Sequence, residues 1–218
     1  MKCYLIRHGI TEGNKALHFN GSGTDEPLTE QGKEALKEIE VAEPESMLFV
    51  SPMKRARETA AIMFPGKRPA IIDGLREMHF GIFEGKNHSM LDGEPEYQAW
   101  LDSGGVSKIP GGESIGSFRD RVWKAFAEAI AMAAREGTDT VYMVVHGGTI
   151  MAVMSSLTGE DYFAFNAPNG AGYIIDLETD DAGNVTAATT YDRFCGGLRA
   201  GFDGWRPPQY TPSDSMDR

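Results

Sequence analysis

The apolar positions of this chain fall into short runs punctuated by glycine, proline and charge. The first, Cys3-Tyr4-Leu5-Ile6, is brief and carries β-branched and aromatic side chains, so it reads as a buried strand that ends at Arg7-His8-Gly9. A second, Thr140 to Val145, has the same design and runs into His146-Gly147-Gly148, followed by an apolar-periodic stretch from Thr149 to Met154. A third, Met47 to Val50, passes into Ser51-Pro52 and then a stretch from Met53 to Phe64 with helical character. Serine as a cap with proline at the first helical position predicts a helix starting there.

Weaker signals fill the rest. Thr29 caps a predicted helix with Ala35, Leu36 and Ile39 on one face, after a turn-rich loop from His18 to Leu28. Arg68 to Ile72 reads as a short strand. From Glu113 a long helix is expected, with Ile115, Phe118, Val122, Phe126, Ala129, Ile130 and Ala133 as its core stripe and Gly137 as its stop. Gly172 to Leu177 and Val185 to Tyr191 read as strands joined by a turn through Asp180 to Asn184. Between them all lies a glycine- and proline-rich stretch, 86–113, with one short helix near Tyr97 to Leu101, which reads as a lid over the site.

Strands alternating with helices predict an α/β fold, a mostly parallel open sheet with helices on both faces and a small lid excursion. One domain is expected over 1–200, with 86–113 as its insertion and 201–218 as a C-terminal tail. Hydrophobic residues make up 41% and charged residues 24% of the 218, which is ordinary for a globular chain. No apolar run nears the ~20 residues of a membrane span and the N-terminus lacks a signal-peptide pattern, so the cytoplasm is the expected location. The net charge of −11 argues against nucleic acid or an anionic membrane as partner. Cys3 and Cys195 form neither a metal nor a redox pair by spacing and are expected as plain thiols.

The candidate chemistry lies at the strand ends. If the strands ending in His8 and His146 share one parallel sheet, both imidazoles meet at its carboxyl edge, where ligands of open α/β sheets bind. A helix starting at Gly147 aims free amides between them, and Arg55 adds a guanidinium, an arrangement that suits an anion. Arg57 lies about 200° further round its helix and is read as a surface or ion-pairing residue. An acid is also needed near any leaving oxygen; Glu77 and Glu84 are candidates among many, while His79 and His88 read as loop residues. No ligand cluster shows metal spacing, and no cofactor is expected.

Four ordered motifs carry a resemblance: Arg7-His8-Gly9-x-Thr11-x-x-Asn14, Ser51-Pro52-x-x-Arg55-Ala56-x-x-Thr59-Ala60, Glu77-x-x-x-Gly81-x-x-Glu84-Gly85 and Val145-His146-Gly147-Gly148. In residue types and spacing, from residue 1 to about 195, the chain resembles the histidine phosphatase superfamily in its phosphoglycerate-mutase-like branch. Asp25-Glu26-Pro27-Leu28-Thr29 is similar to the end of that family's substrate-adjacent loop. The resemblance implies His8 as the phosphoryl acceptor, Arg7, Arg55 and His146 as its catalytic surroundings, and Glu77 as proton donor with Glu84 supporting the loop. Asn14, Thr11, Gly147 and Gly9 would contact a small phosphate-ester substrate. The sequence departs from many relatives at Ile10, where they carry Glu, and at Met151, where several carry Arg. The compact Glu77 to Gly81 segment favours a phosphatase; a 2,3-bisphosphoglycerate-dependent mutase and an inactive phosphate-binding module are the alternatives. Neither the ester nor the oligomeric state is set by these motifs.

Overall fold

The computed structural model describes residues 1–41 and 45–194. Cys195 and the expected tail from Gly201 lie outside them. Six strands form one sheet in the order β3-β2-β4-β1-β5-β6: β1 Lys2–Arg7, β2 Met47–Val50, β3 Ala70–Ile71, β4 Thr140–Val145, β5 Gly172–Thr179 and β6 Val185–Phe194. β1, β2, β3 and β4 are mutually parallel, and β5 pairs antiparallel with both β1 and β6. The seven α-helices among the described residues are α1 Glu12–Lys15, α2 Glu30–Lys37, α3 Lys54–Met63, α4 His88–Leu91, α5 Pro95–Asp102, α6 Ile115–Arg135 and α7 Gly147–Thr158.

The central strands are buried on both faces, so side-chain alternation sorts their residues between two cores. Leu5, Phe49, Met143 and Val145 pack with Phe126 of α6 and Ile150 of α7. Ile6, Val50 and Val144 point the other way, onto Leu36 of α2 and Ala56 and Met63 of α3. Helices thus cover both faces. Register between β1 and β4 matches Arg7 with Val145, so His8 and His146 leave the sheet side by side.

Local chemistry sets the helix limits. The Ser114 hydroxyl accepts the Ser117 amide at 3.1 Å to open α6, and Gly137, at φ +68°, closes it in a conformation that costs other residues energy. The expected stripe is buried except for Ile115, which is half-exposed on the first turn. Thr29 caps α2 by accepting the Gly32 amide at 2.9 Å. β3 is shorter than the predicted strand because Pro69 has no amide for the ladder. The edge pair β5 and β6 is longer than predicted, with bulges near Asp176 and Glu178. Asp180 Oδ1 closes its turn by accepting the amides of Ala182 and Asn184.

The sequence places the start of α3 at Ser51-Pro52, and this is corrected. The helix begins at Lys54 after Met53, which makes no side-chain cap bond. Ser51 is instead engaged by His146. Residues 86–113 form α4 and α5 around a small core of their own, in which Leu91, Tyr97 and Ile109 pack on Phe83. Among the described residues no helix is long and apolar enough to cross a membrane.

Candidate functional site

Beyond the end of β1 the chain turns at His8-Gly9, and the imidazole is locked by its own neighbour. His8 Nδ1 lies 2.7 Å from the Gly9 carbonyl oxygen. A carbonyl can only accept, so the proton is on Nδ1 and the Nε2 lone pair is free. Gly9 is held in turn: its amide donates to Thr59 Oγ1 at 2.9 Å, and that hydroxyl donates to the Arg55 carbonyl at 2.7 Å. His8 is 3% exposed. Burial, then Arg55 and Arg7, push its pKa well below the ordinary 6.5, against a smaller upward pull from the Gly9 carbonyl. The ring is therefore neutral at neutral pH.

His146 faces it, with ring centroids 5.2 Å apart. Its Nε2 is 2.6 Å from Ser51 Oγ, and its Nδ1 is buried with no protein partner. Burial, Arg55, His8 and Arg7 all hold His146 neutral too. Directly after it, Gly147 opens α7, where the helix leaves unpaired amides.

Two buried guanidiniums flank the imidazoles. Arg7 Nη1 donates to the Ala167 carbonyl at 2.6 Å. Arg55 is fully buried. It donates to the carbonyls of Thr24 at 2.7 Å and of Asn20 and Gly21 at 3.1 Å each. That loop is fastened from the other side by Glu84, which accepts the amides of Gly21, Gly23 and Phe80 and the Thr24 hydroxyl. Glu84 thus holds the loop, and the loop holds Arg55. The Nε atoms of Arg7 and Arg55 are buried without protein partners. With His146 Nδ1, three buried nitrogens near His8 thus carry no protein hydrogen bond.

Glu77 is 7% exposed. Its Oε1 accepts the Met78 amide at 2.8 Å and its Oε2 the Gly148 amide at 3.0 Å. Both bonds and both guanidiniums favour the carboxylate, yet burial outweighs them and raises its pKa above the ordinary 4.5. Arg121 on α6 grips the backbone that carries it, donating to the Gly74 and Arg76 carbonyls at 2.9 and 3.0 Å while paired with Glu113 at 2.6 Å.

These groups meet at a cavity of about 620 Å³. Of the residues expected from sequence, Arg7, His8, Asn14, Glu77 and Gly147 line it. Arg55 and His146 are fully buried and are not among its lining residues. Gly9 and Thr11 are likewise not among its lining residues. Gly9 orients His8, and Thr11 caps α1 by accepting the Asn14 amide at 3.2 Å. Asn14 Oδ1 accepts from the Thr11 amide and from Asn169 Nδ2.

Sequence reading missed three positioning residues. Asn169 donates to the carbonyl oxygens of His8 and Gly9 at 3.0 and 3.2 Å, tying the turn to a loop 160 residues away. Ser51 carried a signal, but it was read as a cap. Arg121 had none beyond its place on a long helix. His79 and His88 bond within their own region, to the Gly81 amide and the Tyr97 hydroxyl. Among the described residues no group of three or more His, Cys, Asp or Glu could hold a metal ion.

Two neutral imidazoles beside buried arginines, at the carboxyl edge of a mostly parallel sheet, make an α/β site suited to an oxyanion. Over residues 3–189 the chain matches the histidine phosphatase superfamily (branch 1), and it belongs to that family. It is 28% identical over 188 residues to Phosphoserine phosphatase 1 of Hydrogenobacter thermophilus, covering 82% of this chain and 87% of that one. It is 29% identical over 197 residues to a 2,3-bisphosphoglycerate-dependent phosphoglycerate mutase of Parvibaculum lavamentivorans, covering 83% and 91%. The crystal structure of the alpha-ribazole phosphatase from Shigella flexneri shares the fold, with a TM-score of 0.71 at 24% identity over 87% of this chain and 96% of that one.

Proposed function

We propose that this chain is a phosphatase that hydrolyses small phosphate monoesters through a phosphohistidine on His8, needing no metal and acting in the cytoplasm. The observation that carries the reading is the His8 imidazole, fixed with its Nδ1 proton on the Gly9 carbonyl and its Nε2 lone pair free between two buried guanidiniums.

His8 Nε2 attacks phosphorus in line, the N–P bond forms and the ester P–O bond breaks. Arg7 and Arg55 offer the buried Nε donors to the equatorial oxygens, and the Gly147 amide at the start of α7 adds the field of a helix terminus. With Ser51 donating its hydroxyl hydrogen to Nε2, His146 presents Nδ1–H to the same oxygens. Such preorganised donors are worth roughly 10²–10³-fold each when they meet developing charge. Glu77, held protonated more readily by burial, gives its proton to the departing alcohol oxygen. Water then attacks phosphorus, returns a proton to Glu77 and breaks the N–P bond, which frees phosphate and restores His8.

Hydrolysis rather than transfer to a second hydroxyl fits the cavity lining, where Arg7 is the one arginine and no lysine occurs among the described residues. A bisphosphate would need a second cationic grip. The test is a panel of phosphate monoesters run beside the isomerisation of 3-phosphoglycerate. Inorganic phosphate released faster than any rearrangement supports hydrolysis; rearrangement outpacing release assigns a mutase, and binding without either assigns a binding module.

A further inference from the structure

Leu17 is the one residue other than glycine with a positive φ, 56°, among the described residues. It follows the end of α1 in a left-handed cap, where the His18 amide bonds the Gly13 carbonyl at 2.9 Å and the Leu17 amide bonds that of Asn14 at 3.1 Å. Glycine is the residue this position favours, and a leucine there strains the backbone. Its side chain is 81% exposed, so packing within the protein does not offset that strain. Yet it lines the cavity.

The rest of the lining explains what a leucine would do there. Away from Arg7, His8 and Glu77, the wall is apolar at Ile10, Phe19, Phe80 and Met151, and its polar groups are mostly neutral amides. The guanidiniums are committed to one phosphoryl group. A second anionic substituent would lose its hydration against apolar side chains with no arginine or lysine to receive it. At this end of the cavity such a substituent would find only the His18 imidazole and the neutral amides of Asn14 and Asn20.

Resting on the phosphatase reading above, we propose that the substrate is the monophosphate of an uncharged, largely apolar alcohol, which Leu17, Phe80 and Met151 grip as an apolar collar. The anion fixes the ester at His8 and the collar selects the alcohol.

The test compares two phosphonates of equal spacer length, 2-phenylethylphosphonate and 3-phosphonopropionate, by calorimetry on the full chain. Binding reads the collar apart from turnover, so it decides even if no ester is hydrolysed. The phenyl compound is expected to bind at least tenfold more tightly, and kcat/KM for 2-phenylethyl phosphate is expected to exceed that for O-phosphoserine by a similar factor. Leu17→Gly, which relieves the backbone strain, is expected to lower that preference severalfold without lowering the melting temperature. Tighter binding of the carboxylated phosphonate overturns the proposal, as does a Leu17→Gly variant with the preference unchanged. A His18→Gln variant that abolishes binding of the carboxylated compound alone would assign the site to anionic esters and equally overturn it.

Discussion

The Glu77 carboxylate accepts the Gly148 amide at 3.0 Å, and a Cβ built on Gly148 would come within 2.3 Å of Glu77 Oε1. The second glycine of the His-Gly-Gly motif is therefore space for the proposed proton donor. Gly148→Ala should displace the carboxyl and lower kcat by about 10²-fold, since misplacing a reacting group by an ångström has that order of effect. Alanine suits the first turn of α7, so melting should move little. Steady-state kinetics beside a thermal melt checks this, and equal loss of both would assign Gly148 to packing alone.

Glu84 acts at a distance. Four donors converge on its carboxylate, and three of them, from Gly21, Gly23 and Thr24, belong to the loop whose carbonyls hold Arg55. Glu84→Ala leaves those donors unpaired, which should destabilise the fold by about 2–4 kcal/mol. For a chain of this size that is a fall of roughly 5–15 °C in Tm. Activity should fall further than stability, because the Arg55 guanidinium loses its seat; normal kinetics in the folded variant would contradict the linkage.

His8 and His146 are both held neutral by burial first and by the arginines second, with folded pKa values well below 6.5. Below about pH 6.5 the unfolded chain binds protons that the folded one refuses, so acid favours unfolding. Each histidine should remove up to about 1.4 kcal/mol of stability per pH unit there, and none above it. Glu77 has the opposite sign: its raised pKa stabilises the fold at acid pH, and that contribution is lost as pH rises through its folded value. Urea midpoints at pH 7 and pH 5 should converge between the wild type and His8→Gln. A gap that stays constant would mean that His8 does not titrate on unfolding.

The sheet was legible because its central strands are buried on both faces and read as unbroken apolar runs. The two His-Gly turns followed from it, since parallel register alone carries His8 and His146 to one edge. Ser51 misled for a physical reason: a serine before proline has the signature of a helix cap, and nothing local records that a histidine 95 residues away takes its hydroxyl at 2.6 Å. Asn169 was silent in the same way, sitting in an Ala-Pro-Asn-Gly stretch that reads only as turn. Glu77 was nameable through its motif, but the direction of its titration depended on burial that no spacing reveals. The 86–113 stretch showed its glycines and prolines, while its small core of Leu91, Tyr97 and Ile109 follows no helical or strand period.

The central claim is that His8 Nε2 carries the phosphoryl group. Wild-type protein mixed with a phosphate monoester and quenched in base within one turnover should yield a single phosphorylated peptide, containing His8, whose phosphate survives alkali and is lost in acid. His8→Gln should give neither the phosphopeptide nor turnover. Phosphate found on another residue, or hydrolysis persisting in His8→Gln, would contradict the account.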